Sequence, residues 1–323
     1  MNEISMPPSF EVFDAHQHFW DPQTNYHPWL SDEPMIPFRY GDYGPIRRRF
    51  LPPEYLAEAR PVNIVGTVYV ETEWNPEDPV GETRYIHGVA ERYGYPNAVV
   101  AQAWLDRENA AELIAAQAAF PLVRSVRHKP VAGAGPTEVQ RGMPGSMDDP
   151  QWRNGFAALG LHGLMFDLQA PWWELEAAAA LAADFPATTI VLNHAGLPSD
   201  RSPEGLAGWR AALDRLAREP NVVMKISGIG LRDRPWSLEE NGPIIRDAIS
   251  IFGWQRCMFA SNFPVDSLVG RFATIFDGFY AATEGLTDAA RRALFHDTAV
   301  RVYRPQSQTA FASDYSTTGG TVS

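Results

Sequence analysis

A single cysteine, Cys257, stands among 323 residues, which excludes an intramolecular disulfide framework. Its neighbours Met258 and Phe259 point to a buried, inert thiol, with a catalytic cysteine as the competing role. No apolar run is long enough to span a bilayer, and Met1 to Ser9 lack the apolar core of a secretory leader. The expectation is a cytoplasmic protein without a membrane partner. Positive charge is scarce, with 27 Lys and Arg against 39 Asp and Glu and a formal net charge of -12. That balance argues against nucleic acid as a partner, which requires clustered cations. The one short basic run, Arg47-Arg48-Arg49, reads as a solvated or substrate-facing patch. Gly-rich phosphate loops of the G-x-G-x-x-G or G-x-x-x-x-G-K type are also missing.

What is present is a packed composition, 45% hydrophobic and 20% charged, as in a folded domain rather than a disordered chain. Apolar, β-branched runs predict eight strands: 11–16, 64–71, 98–104, 122–127, 163–168, 189–193, 222–226 and 257–261. Helical stretches at 109–119, 173–184, 206–218 and 243–252 lie between several of them. Near-continuous apolar strands alternating with helices indicate a parallel sheet covered by helices. Eight repeats at this length favour a (β/α)8 TIM barrel, a single α/β domain over residues 1–304, over an open doubly wound sheet. Residues 19–60 form a long first connection rich in Pro and aromatics, among them Trp20, Tyr26, Trp29, Phe38, Tyr40 and Tyr43. A connection of that length is expected to be a lid or binding loop. Residues 129–160 read as a second insertion, and 305–323 as a disordered tail with little to bury.

Barrel active sites sit at the C-terminal ends of the strands. His16 and His18 end the first predicted strand, and residues i and i+2 of a strand share a face roughly 7 Å apart. Two such imidazoles suit a Zn²⁺-type ion or a hydrolytic centre, although a chain with 8 His also produces close pairs by chance. Strand two ends in Glu71, followed by Glu73. Strand four brings Arg124, Arg127 and His128, and strand five Asp167 and Gln169. Strand six delivers His194, and strand eight ends in Ser261-Asn262-Phe263-Pro264-Val265-Asp266. Polar groups concentrated at one mouth cost free energy unless they are paired or used.

The Asp14-Ala-His-Gln-His-Phe-Trp20 opening, Val126-Arg-His128, Phe166-Asp-Leu-Gln169, Leu192-Asn-His-Ala-Gly196 and Phe295-His-Asp-Thr-Ala299 together resemble the amidohydrolase-related family. The similarity is to its branch of sugar-lactone hydrolases and pyrone-dicarboxylate lactonase, and it runs over about residues 10–304. The resemblance implies a hydrolase that opens a lactone or related cyclic ester with an activated water. A metal-assisted nonoxidative decarboxylase of an unsaturated or aromatic acid is the alternative, and a catalytically reduced ligand-binding barrel a third. It further implies that His16, His18 and His194 bind one divalent ion, zinc or manganese, or contact substrate in members that need no metal. His128 would polarise the scissile carbonyl, and Arg124 and Arg127 would hold a substrate carboxylate. Glu71, Glu73, Gln169 and Trp20 would line the substrate. A small molecule is thus the expected partner, with a homo-oligomer allowed. Competing structural roles are a core histidine for His194, an Arg124–Asp167 ion pair, and a buried ion pair for Lys225.

At strand eight the chain departs from that pattern, because Asn262 stands where the family places a catalytic aspartate. An amide cannot take a proton near neutral pH, and as a neutral ligand it leaves a metal's charge less compensated. The expectation is a metal that is weakly held or absent. The general base is then Asp266 in the same loop, or Glu71 or Glu73, or none at all. Asp266 has a loop-capping role as its competitor, and Glu73 that of an exposed loop carboxylate.

Overall fold

The computed structural model describes residues 5–139 and 141–306. The tail expected over 305–323 lies outside the described residues from 307 onward. Eight parallel strands run in chain order around one sheet: β1 (Glu11–Gln17), β2 (Asn63–Val70), β3 (Ala98–Gln102), β4 (Val123–Arg127), β5 (Met165–Leu168), β6 (Ile190–Leu192), β7 (Val222–Ile226) and β8 (Cys257–Phe259). The segment after β8 closes the ring on β1, the Asn262 amide donating to the His16 carbonyl at 2.8 Å and the His18 amide to that of Phe263 at 2.8 Å. This is a nearly closed (β/α)8 barrel. Asp14, fully buried, pins the seam by accepting from the Ser261 amide (2.8 Å), the Ser261 hydroxyl (2.6 Å) and the Tyr55 hydroxyl (2.7 Å).

Helices wrap the barrel at Pro79–Tyr93, Ala110–Ala118, Pro150–Leu161, Leu175–Asp184, Pro203–Leu216, Leu238–Phe252 and Phe272–Ala282. Their starts follow from local chemistry. Asp78, Asp149 and Ser202 each accept a hydrogen bond from an amide of the first turn, with Pro at the first helical position. The helix expected from Pro243 begins earlier, at Leu238, because Ser237 caps it and Pro243 falls inside. The insertion expected over 129–160 is shorter than that, since its last third is the ordinary helix following β4.

Two apolar layers form the core. One lies between strands and helices; the other fills the barrel with Phe13, Val68, Val100, Met165, Val191 and Met258. The helix Thr298–Tyr303 adds Tyr303 to the inner layer. The long first connection is itself folded, with a helix at Pro52–Ala59 and buried Trp20, Tyr40 and Tyr43. Cys257 is buried, and burial pushes its thiol well above the usual range, as the inert reading expects.

Candidate active site

At the C-terminal mouth His16, His18 and His194 come together. The His16 ring lies 5.0 Å from that of His18 and 4.7 Å from that of His194, centroid to centroid. All three are buried, which alone favours the neutral ring. Burial, then the Arg127 charge, lowers His18 to about 3. Burial, followed by Lys225, pulls His16 far down, and burial with Arg39 and Arg127 does the same to His194. His18 Nδ1 sits 2.8 Å from the Val70 carbonyl, which only accepts, so that nitrogen carries the proton. Its Nε2 is then a lone-pair nitrogen, and it faces Asn262 Oδ1, a second acceptor, at 3.3 Å. Neither ring nitrogen of His16 has a partner. His194 Nδ1 shares a hydrogen bond with the Ser227 hydroxyl at 2.9 Å. Gly228 makes room beside it: at φ +56 a Cβ there would fall 2.6 Å from both His194 Nδ1 and Arg39 Nη2.

Three carboxylates beside this cluster, Glu71, Asp167 and Asp266, are each matched with a cation. Arg127 Nε reaches Glu71 Oε1 at 2.5 Å, and its Nη1 reaches Gln169 at 3.0 Å. Lys225 Nζ lies 2.6 Å from Asp167, with both side chains completely buried. Asp266 Oδ1 accepts from Asn262 Nδ2 at 2.6 Å and from the Tyr40 hydroxyl at 3.2 Å, with Arg39 at 3.6 Å. Burial raises Asp266 to about 6 against the lowering pull of these partners. Burial also works to raise Glu71, yet Arg127, Lys129 and two hydrogen bonds hold it below the ordinary carboxylate range. Glu73, His194 and Asn262 all sit at left-handed φ of 55 to 56 degrees, a conformation costly for residues with a Cβ and common where function holds it in place.

Two adjoining cavities open on this mouth. The first, about 310 Å³, is lined by His18, Trp20, Arg39, Arg127, His194 and Asn262 among others. The second, about 440 Å³, holds Trp74, Gln102, Trp104 and His128, and the two share Trp29, Ile36, Glu71, Glu73, Arg127 and Lys129. Glu71, Gln169 and Trp20 lie in the cavity walls, Trp20 stacked on His18 at 5.9 Å with its indole N–H on the Ile46 and Arg48 carbonyls. Glu73 is paired with Lys129 at the junction.

Three expectations need correction. Arg124 is not in the mouth. It occupies the second position of β4, three residues or about 10 Å along the strand from Arg127, and its guanidinium binds the carbonyls of Arg304 (3.1 Å) and Pro121 (2.6 Å). It makes no pair with Asp167, whose partner is Lys225. His128 faces the second cavity rather than the imidazoles, its Nδ1 accepting from the Leu105 amide and the Trp152 indole at 3.1 Å each. Asp266 lies behind Asn262 and lines neither cavity, so its carboxylate is not placed to meet a water or substrate directly. Arg39, Lys129 and Ser227 belong to the site and carry no motif. Only Lys129, directly after His128, had a positional signal.

Among the described residues, no group of three or more His, Cys, Asp or Glu side chains is arranged to hold a metal ion. Three converging neutral imidazoles are nonetheless a donor set that can hold zinc, and neither ring nitrogen of His16 has a partner within the protein, so His16, His18 and His194 are the residues that would hold an ion. With Asn262 in place of a carboxylate ligand, the ion's charge would be less compensated.

A sequence model described as Amidohydrolase matches residues 13–304. The chain is similar to L-fucono-1,5-lactonase of Burkholderia ambifaria, 31% identical over 297 residues, covering 90% of this chain and 94% of the relative. It is 38% identical over 293 residues to an uncharacterized protein of Sinorhizobium fredii, covering 91% and 98% of the two chains. A crystal structure of an amidohydrolase from Burkholderia multivorans with bound zinc superposes with a TM-score of 0.73 at 28% identity, covering 91% of this chain and 99% of that one.

Proposed function

Because the chain belongs to the amidohydrolase family, we propose that it is a hydrolase that opens a lactone or related cyclic ester at this mouth. One observation carries the reading: two hydrogen-bond acceptors, His18 Nε2 and Asn262 Oδ1, face each other at 3.3 Å beside the imidazole-lined cavity. A water molecule, with two O–H donors of its own, satisfies both at once and keeps its oxygen lone pairs for attack. The named relatives, lactonases at modest identity, support the same reaction class.

In this reading the water oxygen bonds to the lactone carbonyl carbon and a water proton passes to His18 Nε2. The imidazolium so formed donates to Asn262 Oδ1, whose amide is held by Asp266. Asn262 and Asp266 thereby position His18 and steady its charge, an arrangement comparable in logic to a base oriented by a third group. The oxyanion is met by Arg127, three of whose five N–H groups are already engaged, and by His194 Nε2–H when Ser227 donates to Nδ1. Collapse breaks the ring acyl C–O bond, and the His18 proton goes to the departing alkoxide, leaving a hydroxy acid.

Arg127 is held by Glu71 rather than left free for a carboxylate, which disfavours the decarboxylase alternative. Among the described residues no helix is long and apolar enough to cross a membrane. The test is purified protein on a panel of five- and six-membered lactones, with acid release followed by a pH indicator. The folded protein is expected to open at least one of them, and His18→Ala to abolish that turnover. Failure on every lactone and ester would overturn the proposal.

A further inference from the structure

Resting on the lactone-opening reading, we infer that the substrate carries an apolar, ring-sized substituent, and that the chamber walled by Trp29, Trp74 and Trp104 receives it. The chamber adjoins the imidazole cavity across the Glu71–Arg127 pair and holds about 440 Å³. An apolar cavity of about 150 Å³ already takes a benzene ring, so a phenyl-sized group fits with space for a short linker.

The walls are built before any ligand arrives. Trp29 donates its indole N–H to the Thr72 carbonyl at 2.8 Å and stacks on Phe38 at 5.7 Å, the planes 9° apart. Trp74 rests against His27 and Tyr85, with ring centroids 5.0 and 5.7 Å away. The Arg107 guanidinium lies 3.6 Å over the Trp104 ring. Braced rings of this kind lose little freedom on binding, so aromatic contact area converts more fully into affinity.

Asp32, Gln102 and His128 are the polar side chains of the chamber that the imidazole cavity does not share. Gln102, at the end of β3, is 7% exposed, and its buried Oε1 has no partner. It offers a hydrogen-bonding point at the chamber wall, suited to a polar atom on an otherwise apolar ring, such as a phenol hydroxyl. The three indole faces favour a substituent with an apolar ring face over one in which nearly every ring carbon bears a hydroxyl.

The experiment compares two lactones of equal ring size, one bearing a phenyl group and one bearing only hydroxyls. With the full-length protein, kcat/KM for the phenyl lactone is expected to be at least tenfold higher. Trp104→Ala should raise KM for the phenyl lactone about tenfold, far more than for the hydroxylated lactone, and be rescued by Trp104→Phe. Binding is read separately by calorimetry and tryptophan fluorescence with a phenyl-substituted cyclic ketone, which cannot be hydrolysed. If the ketone fails to bind while hydroxylated lactones are opened, the chamber assignment is overturned and the proposed reaction stands. Ketone binding that Trp104→Ala weakens, with no lactone opened, supports the chamber and overturns the reaction.

Discussion

Replacing Lys225 with Met should expose how strongly the barrel interior depends on one ion pair. Lys225 Nζ lies 2.6 Å from Asp167 Oδ1 with both side chains fully buried. At an effective dielectric of 20 the attraction is about 6 kcal/mol, most of it offset by desolvation of the two ions. Removing only the lysine leaves Asp167 with Asn193 Nδ2 (3.0 Å) and the Tyr303 hydroxyl (2.9 and 3.0 Å) as donors, neither of them charged. The expected loss is about 3–5 kcal/mol. For a chain of roughly 300 residues this lowers the melting temperature by about 5–8 °C. Urea unfolding followed by circular dichroism measures it. The Lys225→Met, Asp167→Asn double variant should recover more than half of the loss, since the amide still accepts from Tyr303 and no charge is stranded. A double variant as unstable as the sum of the two singles would refute the reasoning.

Two further outcomes follow from the same kind of accounting. Burial and the nearby Glu71 raise Glu82 to about 7, with its Oε1 accepting from Tyr69, the Thr72 amide and the Thr72 hydroxyl. The folded state therefore holds a proton that the unfolded chain releases near 4.5; the resulting stability is full below that pH and lost as pH rises through about 7. Glu82→Gln should flatten this slope in urea titrations between pH 4.5 and 8, and an unchanged slope would assign it to other groups. Asn262→Asp would set two carboxylates where Asn262 Nδ2 and Asp266 Oδ1 now lie 2.6 Å apart, so they must share a proton or bind a cation. Equilibrium dialysis should show zinc held at least tenfold more tightly by the variant than by the parent. Stoichiometric zinc in the parent that survives chelator dialysis would show that Asn262 is not the weak point.

The eight strands were legible because each is a short apolar run that reads the same in any barrel position. The end of strand four at Arg127 was legible too. Arg124 was misassigned because it lies three residues, about 10 Å, before that end, and only the end of the strand reaches the mouth. The imidazole triad was legible through spacing and family resemblance together. Asp266 was not, because its place depends on the left-handed Asn262 and the tight turn at Val265–Leu268, which fold the loop back beneath the amide. Arg39 escaped notice for another reason: its loop position is set by contacts with Gly228 and Tyr40 that lie 189 residues and one residue away. The second cavity was invisible in sequence, being made of tryptophans from three separate connections.

The barrel seam has a consequence of its own. His16 and Asn262 are joined through backbone, and His18 meets the Asn262 side chain across 244 residues of chain. The groups assigned to chemistry are therefore the same groups that zip the first strand to the last. Catalytic turnover in a refolding experiment would then register ring closure itself, appearing only after every intervening repeat is in place, whereas helical signal would return earlier.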